Sequence, residues 1–140
     1  MHTEPEFTLW DGYLAEWQRT IDALTLPVPD GFTFPALPPG DPEAKVLYAV
    51  GCGEVAAMLT WITAVECAVI EAHLAGDHST ADRWLSVAAL WPRTSTYKTY
   101  NDPDVPITWR EAVLIPALAG DFSKMQEHAT GVPTAPNGAD

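Results

Sequence analysis

Basic residues are scarce in this chain. Seven lysines and arginines stand against nineteen acids in 140 residues, a formal net charge of −12. A phosphate backbone calls for a basic face, so this balance argues against nucleic acid as a direct partner and leaves a basic protein or peptide open. Cysteine is nearly absent as well, with Cys52 and Cys67 alone. On one straight helix their spacing parts them by about 22 Å, beyond disulfide reach. The opening Met1-His2-Thr3-Glu4-Pro5-Glu6 has neither the basic nor the apolar stretch of a secretion signal. The expected setting is therefore the reducing cytoplasm. Also missing are a phosphate loop, a dinucleotide fingerprint, a His-Glu-x-x-His pair and any triad spacing. No catalytic residue, metal or cofactor is nominated, and the expectation leans away from an enzyme.

Hydrophobic residues make up 47% of the chain, enough for one packed domain of this length. That domain is expected over residues 1–130, followed by a mobile tail over 131–140 that holds Gly, Pro and Asn. Charge is unevenly spread. Residues 1–44 carry eight acids and one base, whereas 45–100 carry five acids and four bases.

One hexapeptide nearly recurs: Leu74-Ala75-Gly76-Asp77-His78-Ser79 and Leu118-Ala119-Gly120-Asp121-Phe122-Ser123. Upstream of each stands a second echo, Thr60-Trp61-x-x-Ala64-Val65 and Thr108-Trp109-x-x-Ala112-Val113. Glycine supplies the left-handed residue that ends a helix, and the Asp and Ser that follow offer oxygens to the next helix N-terminus. The pattern predicts two tight αα-hairpins, which an internal duplication would relate. Gly76, Ala81, Leu85, Ala88 and Pro92 resemble the second half of a tetratricopeptide repeat. The proline comes one residue early and the first-helix Trp-Leu-Gly-Tyr pattern is missing, so the likeness is one of hairpin type.

The fold class that follows is all-α: a single-domain bundle of about five helices around a long central helix over 42–75. Phe7, Trp10, Leu14, Trp17, Ile21 and Leu24 fall at helical spacing and predict a first helix over 4–24, capped by Thr3 with Glu6 or by Thr8. Six prolines make 25–42 an extended strap that Phe32, Phe34 and Leu37 would pin to the body. Asp41 and Pro42 read as the start of the central helix and Gly76 as its stop. That helix is apolar around most of its girth. Glu54 and Glu66 interrupt it and no basic flank orients it, which argues against a membrane span. Further helices are expected over 79–91, 108–119 with a break at Pro116, and 122–129, with a long loop over 92–107.

The candidate site residues come from the central helix. Taking Val55 as origin and about 100° per residue, Leu59, Ile62, Glu66, Val69 and His73 share one stripe. Glu54 lies between Met58 and Trp61. A buried carboxylate needs a partner or a shifted pKa, so Glu54, Trp61, Glu66, His73 and Trp84 are the candidate ligand-binding set, with Arg19, Arg83 and Arg110 as the cations that would otherwise close it. Arg93, Tyr97, Lys98 and Tyr100 are loop candidates for an anionic or peptide ligand. Glu66, Glu71, His73, Asp77 and His78 do not fall at metal-ligand spacing. Cys52, between Gly51 and Gly53, lacks a neighbouring base.

The composition and the missing motifs point to a non-catalytic protein–protein interaction or regulatory role, of the adaptor or immunity type, through an acidic face or an aromatic groove. A helical small-molecule pocket or enzyme is the second reading. The third is a homo-oligomeric structural protein joined through Trp10, Trp17 or Trp91.

Overall fold

The computed structural model describes residues 6–131. The described residues are mostly helical, 60% helix against 3% strand, in line with the sequence pattern. The elements run β1 (Phe7–Thr8), α1 (Trp10–Ala23), β2 (Tyr48–Ala49), α2 (Cys52–Leu74), α3 (His78–Ala88), a 3-10 turn (Trp91–Arg93), α4 (Ser95–Tyr100), a π-helical turn (Arg110–Leu114), α5 (Ile115–Leu118) and α6 (Ser123–Thr130). They form two compact units, one from the N-terminal residues to Leu26 with Gly31–Thr60, the other from Pro27–Asp30 with Trp61 onward.

In the first unit, α1 begins at Trp10, later than the periodicity suggests. Its N-cap is Leu9, which makes no side-chain cap bond; Thr3 lies outside the described residues. Phe7 and Thr8 leave the helical pattern to pair antiparallel with Ala49 and Tyr48, and Glu6 O accepts Val50 N at 3.0 Å. This pairing also corrects the start of the central helix. Residues 42–51 are not helical: Asp41 caps only a local turn, through Glu43 N at 2.9 Å, and α2 begins at Cys52.

The reason lies in the glycines. Gly51 sits at φ +105°, a left-handed value that glycine adopts without a Cβ clash. Gly53 packs so tightly on α1 that a Cβ would strike the Tyr13 carbonyl and come within 2.5 Å of the Glu16 Cβ. Glu16, buried on α1, then caps α2. Its Oε1 accepts Gly51 N at 3.0 Å and Gly53 N at 2.9 Å. These are N–H groups that helix geometry leaves open, and a negative charge is favoured there.

The proline-rich strap is pinned, as its aromatics suggest. Phe34 meets Trp17 edge-on at 6.2 Å, and the Pro39 carbonyl accepts Tyr13 Oη at 2.7 Å. Tyr13 stacks on Tyr48 at 4.0 Å. Burial, reinforced by Tyr48 and Cys52, raises the Tyr13 pKa. Trp17 Nε1 is buried with no hydrogen-bond partner among the described residues.

In the second unit the two predicted turns are closed identically. Asp77 N bonds Ala72 O at 2.9 Å and Gly76 N bonds His73 O at 3.1 Å; Asp121 N bonds Pro116 O at 2.8 Å and Gly120 N bonds Ala117 O at 3.0 Å. This is the paired six-to-one and five-to-two closure of a Schellman motif, with Gly76 at φ +74° and Gly120 at φ +99°.

The likeness stops at the turns, and a duplicated unit is not confirmed. Asp77 is the N-cap of α3 and accepts Thr80 N, whereas Asp121 accepts Ser123 N and α6 is capped at Phe122. Upstream of the second turn stands a π-turn and one short helix in place of a long α-helix. Pro116 has no N–H to give the carbonyl four residues back, and the ladder widens so that Ile115 N reaches Arg110 O. The expected loop over 92–107 contains α4, capped by Thr94 through Tyr97 N at 3.1 Å.

Candidate functional site

The stripe on α2 that groups Ile62, Glu66 and Val69 is real: all three are fully buried. Leu59 departs from it, 43% exposed. Cys67 and Glu71 are exposed. The Cys67 thiol has its pKa raised, first by burial and then by the negative charges of Glu66 and Glu71, which disfavours a thiolate nucleophile there. Both cysteines lie on α2 and are free.

Glu66 is the chemical centre of the second unit. Its Oε2 accepts the Trp109 indole N–H at 3.1 Å, and its Oε1 lies 2.8 Å from His128 Nδ1. Trp109 is placed by a capping box. Thr108 Oγ1 donates to Glu111 Oε1 at 2.9 Å while Glu111 N donates back to Thr108 Oγ1 at 3.2 Å, which fixes the N-terminus of the π-turn. His128 is placed by α6, where Met125, three residues earlier and fully buried, faces the same way.

The His128 ring keeps 36% of its side-chain exposure. Its pKa is raised, chiefly by the hydrogen bond to Glu66; burial opposes this and the Glu66 charge adds to it. The imidazole borders an open groove of about 380 Å³ lined also by Ala112, Val113, Lys124, Glu127 and Gly131. A carboxylate-oriented imidazole holds and transfers protons. Among the described residues the groove's other side chains bring no hydroxyl or thiol to receive that help, and Lys124 is paired with Glu127 at 3.7 Å.

The remaining candidates are placed as follows. Trp61 is fully buried and donates Nε1 to the Pro27 carbonyl at 2.8 Å. It tilts against Trp91, 6.5 Å between ring centroids. Trp84 is buried, with the Arg83 guanidinium 5.2 Å from its ring centroid. His73 stacks on Phe122 at 4.0 Å and borders a separate groove of about 260 Å³ with His78, Asp82 and Leu118. Neither Glu66, Trp61 nor Trp84 lines that groove.

Glu54 is half-buried in the first turn of α2, within the first unit. Trp61, Glu66, His73 and Trp84 belong to the second unit, and the partners of Glu66 are a tryptophan and a histidine in place of an arginine. Of the loop set, Tyr97 packs edge-on against Trp91 at 5.3 Å, while Arg93, Lys98 and Tyr100 are exposed around α4. Trp17 and Trp91 are buried within the chain, which removes them as exposed interface residues.

Among the described residues no group of three or more His, Cys, Asp or Glu side chains is gathered to hold a metal ion. Cys52–Leu74 is long and apolar enough by length and composition to cross a membrane, with 44% of its most apolar window buried.

Sequence reasoning missed His128, Trp109 and Glu16. Two signals for them were present: the Thr108-x-x-Glu111 capping pattern, and Met125 with His128 three apart after a turn glycine. No family model matches the chain, and neither the curated proteins nor the solved structures contain a match.

Proposed function

We propose that this chain is a non-catalytic binding protein, of the adaptor or immunity type, that engages a basic protein or peptide partner in the cytoplasm. The observation that carries this reading is the outward charge of the first unit. Glu6, Asp11, Asp22, Asp41 and Glu43 are all exposed there, against Arg19 and Lys45. Such a surface steers a positively charged partner and rejects acidic ones. Two free thiols accord with a reducing compartment. The buried ionisable groups support a structural role over a reactive one, since both oxygens of Glu66 are engaged and Glu16 is spent on the start of α2.

The test uses the intact chain as bait at low and high salt, beside an Asp11→Asn, Asp22→Asn variant. A specific basic partner is expected at low salt, released by high salt and lost on the substitutions. Recovery of no partner overturns the reading, as does a partner indifferent to both salt and charge.

A further inference from the structure

The β1–β2 ribbon is inside out. A two-stranded ribbon normally turns apolar side chains to the body and polar ones to water. Here the pairing of Phe7 with Ala49 and Thr8 with Tyr48 puts Thr8 and Tyr48 on one face. That is the inner face, because Tyr48 stacks on Tyr13 and meets Trp10 at 6.2 Å. Alternation then sends Phe7 and Ala49 outward. Leu9 and Leu47 flank the ribbon, each two residues along the chain from Phe7 and Ala49. The exposures agree: Phe7 is 57%, Leu9 60% and Leu47 65% accessible. Scattered exposed apolar residues are ordinary, whereas an aligned set on one face marks a place where something binds.

We propose that this outer ribbon face is where the partner docks, and that it receives an extended segment presenting aliphatic side chains flanked by lysine or arginine. The proposal rests on the binding-protein reading above and names the site and the chemistry of its occupant. Charge selects the occupant. Glu6 adjoins Phe7, Asp11 lies two residues beyond Leu9, and Asp41 and Glu43 precede Leu47, all exposed, with Lys45 as the base among them. A second copy of this chain would bring the same carboxylates face to face and add another −12 of net charge, a like-charge juxtaposition that disfavours association. An anionic lipid surface is repelled for the same reason. A cationic apolar segment meets both features at once: its aliphatic groups cover Phe7, Leu9 and Leu47, and its ammonium or guanidinium groups reach the flanking acids.

The experiment titrates the full chain with a fluorescein-labelled peptide of alternating leucine and lysine, read by anisotropy. Controls are a lysine-only peptide, phosphatidylcholine vesicles, and light scattering of the chain alone. The variant is Phe7→Ser, Leu47→Ser, whose helical circular dichroism should match the unaltered chain because both side chains are exposed. Amide shift mapping on the unaltered chain gives a readout independent of any variant.

Saturable binding of the alternating peptide is expected, with shifts concentrated at 7–9 and 47–50 and affinity at least tenfold lower in the variant. Equal binding of the lysine-only peptide, or shifts elsewhere, overturns the ribbon face while leaving the acidic-surface reading standing. Vesicle binding or dimerisation abolished by the same substitutions also overturns it, in favour of lipid or a second copy. Absence of peptide binding overturns it outright, and the bait experiment then judges the broader reading separately.

Discussion

The carboxylate of Glu16 accepts the backbone N–H of Gly53 at 2.9 Å, across a contact in which the Gly53 Cα rests directly on α1. One residue pair therefore decides both where α2 begins and how closely it lies on α1. Gly53→Ala is expected to cost about 1–3 kcal/mol or more, because the opposing atoms, two of backbone and the Glu16 Cβ, cannot rotate away. Glu16→Ala, which leaves the Gly51 and Gly53 N–H groups without their acceptor, is expected to cost about 1–3 kcal/mol. Urea unfolding followed by circular dichroism measures both. A neutral Gly53→Ala would show that the close approach is not required.

Gly76 and Gly120 offer a contrasting case. A Cβ at either position meets nothing within 4 Å, so substitution is penalised by backbone strain alone, about 1–2 kcal/mol for a left-handed residue. Gly76→Ala and Gly120→Ala should therefore cost about the same and less than Gly53→Ala, although the helices before the two turns differ. Thermal midpoints of the three variants, compared side by side, check that order.

The Glu66–His128 contact makes stability depend on pH in a defined direction. The folded-state pKa of His128 is raised by its bond to Glu66. Its contribution is fully present below the unfolded value of about 6.5, and it is lost as pH rises through the folded value. The stability difference between the unaltered chain and His128→Gln is expected to be largest near pH 6 and to shrink as the solution becomes alkaline. The His128 ring should titrate at lower pH in Glu66→Gln, followed by NMR of the imidazole carbons. A difference that grows with pH would contradict the assignment.

Glu66→Leu should destabilise by about 2–3 kcal/mol, since it strands the Trp109 and His128 donors. That cost is held down by the partial exposure of His128. Trp109 fluorescence would report the loosening.

Much of this architecture is written locally. The turn glycines, the aspartates after them and the apolar girth of residues 52–74 depend on neighbours within one or two helical turns, so their spacing reveals them. The burial of Glu66 follows from the same 3.6-residue geometry. What covers Glu66 does not: His128 stands 62 residues away in sequence, and no period links the two. Phe7 illustrates the opposite failure. Its spacing to Trp10 and Leu14 fits a helix, yet it is strand, because a two-residue pairing is too short to leave an alternation that competes with helical periodicity.

By itself the sequence determined an acidic, helix-dominated chain, the closure of its two glycine turns and the inward set of α2, all consequences of short-range sterics and of side-chain spacing. Tertiary structure alone decided that α2 starts at Cys52, that Glu66 is shared between Trp109 and His128, and that Phe7, Leu9 and Leu47 are left exposed. Each of these requires chain segments brought into contact across dozens of residues, where packing and hydrogen-bond satisfaction override local preference.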